Sequence, residues 1–166
     1  MTDGGRLLWL VRHAKAASDA PHGGSDHERP LAPRGLRDAA ALGRLLASGG
    51  VGDDLPQLVL ASSARRTTET AERVAAPLGL TVDRRRGLYY GDPVDEIRTV
   101  DDAVRSLMIV GHNPATHRLA IDLVGEEEAV ASFPTCALAL VRVDVARWLD
   151  LAPGVGMLVR FLVPPY

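Results

Sequence analysis

Three short apolar runs in the sequence are each followed by basic or polar side chains. Arg12 and His13 follow the first run, Arg66 follows the second, and His112 and Asn113 follow the third. A neutral imidazole is a good nucleophile near neutral pH, and guanidinium groups bind phosphate oxygens through paired N–H donors. These residue types indicate phosphoryl chemistry if the fold brings the three segments together.

The apolar runs predict the strands of a sheet. "LLWLV" (7–11), "LVLA" (58–61) and "LMIV" (107–110) are continuous enough to be buried on both faces, as in a parallel sheet. Two further runs, at 137–144 and 156–163, predict an antiparallel pair at the end of the chain. The carboxyl ends of the first three strands therefore deliver the histidines and arginines to one edge of the sheet.

Segments with helical spacing separate the predicted strands. Apolar or small residues repeat every three to four positions over 36–47 and 67–75. A further helix is predicted after the third strand, with Asn113 as its cap, Pro114 in its first turn and Gly125 at its end. This alternation predicts an α/β fold: a single three-layer domain over residues 1–166, with helices on both faces of a mostly parallel sheet.

Composition limits the classes of function. The chain has 166 residues and a net charge of −2, which gives no general attraction to nucleic acid or to anionic lipid. No apolar segment approaches the length of a membrane span, and the single cysteine, Cys136, fits a reducing compartment. We expect a cytoplasmic protein with a local anion site, and the glycine- and proline-rich segment 18–35 to be a loop.

Three motifs, in this order, resemble the histidine phosphatase superfamily, which has the phosphoglycerate-mutase-like fold. They are "RHA" from Arg12, the spacing of Ser62, Arg66 and Thr70, and "VGHNP" around His112. The short length and the segment "RPLAPRG" from Arg29 resemble the SixA-type phosphohistidine phosphatases within it.

The resemblance implies a role for each matching residue. His13 is the expected nucleophile, with Arg12, Arg66 and protonated His112 as the phosphate clamp. Counting four residues from Ser62 selects Arg66, so Arg65 is expected to point elsewhere. Arg29 is expected to reach the pocket, and Asn113 to contribute to substrate binding. No cofactor is expected, because the clamp supplies the positive charge.

The sequence does not single out one residue as the general acid. Larger members of the family carry a glutamate just before the segment that resembles "LYYGD", where this chain has Arg86 and Gly87. Asp92, Asp95 or Glu96 could take that part.

Other patterns have simpler explanations. His22, Asp26 and His27 could be taken for metal ligands, but their glycine-rich loop has no clear fourth ligand. The spacing of Cys136 and Arg142 matches the C-x5-R pattern of cysteine-dependent phosphatases, but an alternating strand would hold the two about 20 Å apart.

The run Arg84 to Arg86 is expected to be an exposed charged segment at a strand end, with a docking patch for an acidic partner as the alternative. His117 is expected to lie on the surface of its helix.

The sequence thus predicts a metal-independent phosphatase that forms a phosphohistidine intermediate on His13. Phosphohistidine in proteins is the expected substrate. A small-molecule phosphomonoesterase is the alternative within the same chemistry, and a non-catalytic phosphate sensor is the alternative outside it.

Overall fold

The computed structural model describes residues 5–166 and contains six strands and five α-helices. The strands are β1 (Arg6–Arg12), β2 (Leu58–Ser62), β3 (Val82–Arg85), β4 (Ser106–Gly111), β5 (Leu138–Val143) and β6 (Gly156–Leu162). The helices are α1 (Pro33–Ala47), α2 (Arg65–Ala75), α3 (Gly87–Tyr90), α4 (Pro93–Ile97) and α5 (Ala115–Val124). No helix in this part of the chain is long and apolar enough to cross a membrane.

The strands form one sheet in the order β3-β2-β4-β1-β5-β6. β1 and β2 both pair in parallel with β4, and β3 pairs in parallel with β2. β5 is antiparallel to both β1 and β6, so it alone runs against the other five strands. The predicted mostly parallel sheet and the terminal antiparallel pair are both confirmed.

Helices cover both faces of the sheet, each over its own apolar core. On one face α1 and α2 pack against Trp9 and Val59, and on the other α5 packs against Leu8 and Leu60. Gly43 allows α1 to approach α2 closely, because a Cβ atom there would lie 2.6 Å from the Arg73 carbonyl oxygen. β4 is buried at every residue, as its continuous apolar run predicts.

The start of α5 differs from the prediction. Asn113 does not cap the helix, since its Nδ2 donates to the Phe133 carbonyl at 2.8 Å instead, and Pro114 is the residue that precedes the first turn. Gly125 ends the helix as predicted, with a φ of 89° that favours glycine.

Two short helices in the middle of the chain were not predicted. α3 and α4 contain only four and five residues, which is too short for a helical period to show in the sequence. The run Arg84 to Arg86 lies at the end of β3 with Arg84 and Arg86 exposed, as predicted. Arg84 pairs with Glu72, and Arg85 pairs with Asp83 and Glu96.

Of the predicted loop 18–35, residues 18–32 form a loop with two short 3-10 turns, Pro21–Gly23 and Asp26–Glu28, and α1 begins at Pro33, earlier than expected. It crosses the carboxyl edge of the sheet, where Arg66 of α2 contacts Asp26.

Candidate active site

His13 follows directly after β1 and is 9% exposed. Its backbone N–H donates to the Gly111 carbonyl at 3.0 Å, which ties it to the end of β4. Its ring Nδ1 lies 2.8 Å from the Ala14 carbonyl oxygen. Because a carbonyl oxygen can only accept, Nδ1 carries the proton, and Nε2 of the neutral ring keeps its lone pair.

The surroundings of His13 keep its ring neutral. Burial lowers its pKa from 6.5 to about 4, and nearby positive charges add to this effect: Arg66, Arg12 and Arg29. The Ala14 carbonyl acts in the opposite direction and is outweighed. At neutral pH the ring is therefore unprotonated at Nε2, which is the state that a nucleophile needs.

His112 follows β4 and lies beside His13, with 5.4 Å between the ring centroids. Its Nε2 is 2.7 Å from the Oγ of the fully buried Ser62. Burial, Arg66 and His13 lower its pKa to about 3. His112 is therefore neutral in the free protein, because burial among cations opposes a further positive charge. The expected protonated His112 belongs to the clamp around a bound phosphoryl group, and its charge there stays a prediction.

The motif of Ser62, Arg66 and Thr70 connects three parts of the site. Ser62 contacts His112, and Thr70 Oγ1 accepts the Ala14 N–H at 3.0 Å, so the motif holds the segments after both β4 and β1. Arg66 lies between them with a side chain that is 8% exposed. Arg65 turns away and pairs with Glu69 at 2.7 Å, as the counted register predicts.

Arg12 and Asn113 share one acceptor. Arg12 Nη1 donates to the Phe133 carbonyl at 3.1 Å, and Asn113 Nδ2 donates to the same oxygen at 2.8 Å. The segment before β5 thereby fixes two side chains that come from the ends of β1 and β4.

Arg29 reaches the same region from the loop. Its Nη1 donates to the Ala17 carbonyl and its Nε to the Asp26 carboxylate, both at 3.0 Å. These two contacts hold a long, flexible side chain in one direction.

The six predicted site residues line one cavity of about 630 Å³. The other residues that line it are Lys15, Ala16, Tyr89 and Thr135. Four of the ten side chains are cationic and none carries a carboxylate, so the cavity favours an anion with several oxygen atoms. Neutral imidazole beside guanidinium groups provides a nucleophile together with charge stabilisation for phosphoryl transfer.

The sequence did not predict the four other lining residues or the role of Asp26 beside the cavity, and Tyr89 and Asp26 are in direct contact. The Tyr89 hydroxyl donates to Asp26 Oδ2 at 2.8 Å. This hydrogen bond is the largest influence that lowers the pKa of Asp26 to about 2, with Arg66 and Arg29 acting in the same direction. The sequence offered one hint, since Asp26 lies three residues before Arg29 in "SDHERPL".

Two of the three loop residues considered as metal ligands, Asp26 and His27, have protein partners instead, and His22 is exposed. Asp26 contacts Arg66, Arg29 and Tyr89, and His27 Nε2 lies 2.9 Å from Ser63 Oγ. Among residues 5–166 there is no group of three or more histidine, cysteine or acidic side chains that could hold a metal ion.

None of the three candidate acids from the sequence, Asp92, Asp95 and Glu96, lines the cavity. Asp92 caps α4 by accepting the Val94 N–H at 2.9 Å. Glu96 accepts from Arg85 at 3.2 Å.

Cys136 is placed for structure and not for nucleophilic chemistry. Burial raises the pKa of its thiol to about 12, and β5, which carries Arg142, is extended. The backbone N–H of Cys136 donates to the Arg12 and His13 carbonyls at 3.1 and 3.0 Å. The backbone of Cys136 itself has a φ of 61°. The residue therefore holds the end of β1, and its match to the C-x5-R pattern is accidental.

Comparison with known proteins identifies the family of this chain. The sequence profile of the histidine phosphatase superfamily (branch 1) matches residues 8–89. An uncharacterized protein of Mycobacterium tuberculosis is 41% identical over 93% of this chain and 99% of its own length.

Solved structures show the same similarity over the whole fold. A proposed phosphohistidine phosphatase SixA from Nakamurella multipartitia is 29% identical with a TM-score of 0.80, covering 97% of each chain. The protein histidine phosphatase SixA complexed with tungstate is 25% identical with a TM-score of 0.75, covering 94% of this chain and 96% of its own. The chain therefore belongs to the histidine phosphatase superfamily and is of the SixA type.

Proposed function

We propose that the protein is a phosphohistidine phosphatase that carries the phosphoryl group on His13. The observation behind this proposal is the His13 ring, whose Nδ1–H donates to the Ala14 carbonyl and leaves Nε2 as the lone-pair nitrogen. This ring lines a cavity with four cationic side chains, so it can attack phosphorus without first losing a proton. The similarity to SixA in complex with tungstate supports the same function.

The proposed reaction has two steps. Nε2 of His13 attacks phosphorus in line, and the bond between phosphorus and the substrate imidazole nitrogen breaks. That nitrogen keeps the electron pair of the bond, and the substrate ring, which already carries a proton on its other nitrogen, leaves as neutral imidazole. Water then attacks phosphorus, the bond to Nε2 breaks, and phosphate leaves with release of a proton. Arg12, Arg29 and Arg66 offset the charge on the phosphoryl oxygens in both steps, so the proposal requires no metal ion.

His112 does not act as a permanent cation in this proposal. In the free protein its pKa is about 3, and the double negative charge of a bound phosphoryl group would raise that value. We infer that His112 gains a proton only when the site is filled, so its charge follows the charge of the ligand.

The cavity also favours a particular leaving group. An alkyl phosphate expels an alkoxide, which needs a proton from a well-placed acid. The cavity lining contains no carboxylate, and Asp26 beside it, with a pKa of about 2, has no proton to give near neutral pH. A protonated imidazole leaves without such an acid, which favours phosphohistidine over phosphate esters of alcohols.

Replacing His13 tests the proposal. His13→Ala should abolish hydrolysis of a phosphohistidine protein and of p-nitrophenyl phosphate, whereas His22→Ala, which changes an exposed loop histidine, should behave like wild type. Wild-type protein stopped during turnover should carry acid-labile, base-stable phosphate on His13, located by mass spectrometry.

Three results would contradict the proposal. Near-normal turnover by His13→Ala would exclude this nucleophile. Equal kcat/KM for alkyl phosphates and phosphohistidine would indicate a small-molecule phosphomonoesterase. Binding of tungstate without any turnover would indicate a phosphate sensor.

A further inference from the structure

Asp26 is in contact with three residues of the cavity at once, although it does not line the cavity itself. Its Oδ2 accepts from Arg66 Nη2 at 3.0 Å and from the Tyr89 hydroxyl at 2.8 Å. Its Oδ1 accepts from Arg29 Nε at 3.0 Å, and its backbone carbonyl accepts from Arg66 Nη1 at 2.9 Å. One loop residue therefore joins a side chain from α2, one from α3 and one from its own loop.

The loop holds Asp26 in a defined place. Asp26 begins a 3-10 turn, and the Ser25 N–H donates to the Glu28 carboxylate at 2.9 Å across that turn. On either side of Arg29 the loop is anchored to the region of α2, through His27 to Ser63 at 2.9 Å and through the Leu31 N–H to Glu69 at 3.0 Å. The carboxylate is thus presented from a fixed backbone.

The contact with Arg66 leaves that guanidinium able to bind a ligand. A guanidinium group has five N–H donors, and Asp26 takes one from each of the two terminal nitrogens. Each terminal nitrogen keeps one N–H, and Arg66 lines the cavity with the rest of its side chain buried. The same reasoning applies to Arg29, which uses Nε and Nη1 for protein contacts and keeps Nη2.

We propose that Asp26 is a positioning residue that fixes Arg66, Arg29 and Tyr89 around a tetrahedral oxyanion. The effect of Asp26 on kcat/KM rests on the proposed phosphatase function, whereas its effect on the binding of an oxyanion does not. The three side chains are held in the free protein, so an arriving phosphoryl group meets donors that are already oriented. Asp26 acts through these groups and makes no contact with the reacting atoms in this proposal.

The direction in which anion affinity changes when the Asp26 carboxylate is removed distinguishes positioning from simple electrostatics. Removing a carboxylate next to a cationic cavity raises the positive potential, which by itself strengthens the binding of an anion. Loss of positioning weakens the binding, because the freed arginine side chains must be ordered again when the ligand arrives. The two explanations therefore predict opposite changes in the dissociation constant of the same ion.

The experiment measures tungstate binding to the full-length protein by isothermal titration calorimetry. Asp26→Asn preserves the shape of the side chain and removes its charge, and we expect it to raise the Kd of tungstate at least about fivefold. Tyr89→Phe removes one of the contacts to Asp26 and should change Kd in the same direction by less. Asp19→Asn, which changes an exposed acidic residue of the same loop, is the matched control and should bind tungstate like wild type.

Two further measurements distinguish positioning from charge and from general damage. Asp26→Glu keeps the charge but moves the carboxylate by one methylene group, so it should also weaken tungstate binding. In all Asp26 variants, kcat/KM for an aryl phosphate should fall in proportion to tungstate affinity while the midpoint of thermal unfolding stays near that of Asp19→Asn.

Unchanged or tighter tungstate binding in Asp26→Asn would overturn the inference. The inference would also be overturned if Asp26→Glu bound tungstate like wild type. The same holds if kcat/KM for an aryl phosphate stayed unchanged in variants whose tungstate affinity had fallen. If Asp26→Asn does not fold, Tyr89→Phe decides alone, and unaltered tungstate binding by that variant counts against the inference. A wild-type protein that binds tungstate but has no phosphatase activity would remove the proposed function and leave the role of Asp26 standing.

Discussion

Acid should destabilise this protein through the buried histidine at the end of β1. In the folded state the pKa of His13 is about 4, against 6.5 for a histidine in its ordinary surroundings. As the pH falls from 6.5 to 4, the His13 ring becomes protonated in the unfolded chain but stays neutral in the folded protein. The free energy of unfolding therefore decreases over this range, and the contribution of neutral His13 to stability is fully present above pH 6.5.

The size of this loss follows from the two pKa values. A decrease from 6.5 to about 4 corresponds to about 3 kcal/mol between pH 7 and pH 4 from His13 alone. That is a large part of the total stability of a typical domain. The neighbouring His112 acts in the same direction, since burial lowers its pKa as well.

The assay compares wild type with His13→Asn in urea unfolding at a series of pH values. Trp9 and Trp148 are both buried, at 1% and 0% exposure, so their fluorescence reports global unfolding. The difference in unfolding free energy between about pH 7 and pH 4 should be smaller in His13→Asn by up to about 3 kcal/mol. His22→Asn, which changes an exposed histidine, should lose stability in acid as wild type does.

Equal acid sensitivity in wild type and His13→Asn would refute this reasoning. An NMR titration of the His13 ring with a midpoint near 6.5 would refute it directly, because it would show that burial and the neighbouring arginines do not disfavour the charged ring.

Three further predictions concern activity. Ser62→Ala removes the hydroxyl beside His112 and should lower kcat/KM about tenfold, measured with p-nitrophenyl phosphate; an unchanged value would mean that this contact does not orient the ring. Exhaustive chelation should leave the activity intact, and a loss that a divalent ion restores would contradict metal independence. Aryl phosphates should exceed alkyl phosphates in kcat by about 10²–10⁴, and comparable values would indicate a general acid at the site.

The sequence predicts the centre of this fold well because the central strands are buried on both faces. Such strands appear as continuous apolar runs, and their carboxyl ends must meet at one edge of the sheet. His13, Arg66 and His112 could therefore be brought together without coordinates.

The parts that could not be predicted depend on long-range contacts or on very short elements. Asp26 and Arg66 are 40 residues apart, and the loop between 18 and 32 has no periodicity that would fix its path. Asn113 has the residue type of a helix cap, but the Phe133 carbonyl competes for its side chain. Tyr89 lies on the four-residue helix α3, which has no helical pattern to place it.

The buried thiol of Cys136 has a consequence for how the protein tolerates oxidants. Enzymes that attack phosphorus with a thiolate lose activity when peroxide converts that sulfur to sulfenic or sulfinic acid. Here the only cysteine is buried, and its pKa of about 12 keeps it protonated and slow to react. With the proposed imidazole nucleophile and a buried thiol, we expect the protein to keep its phosphatase activity in the presence of peroxide.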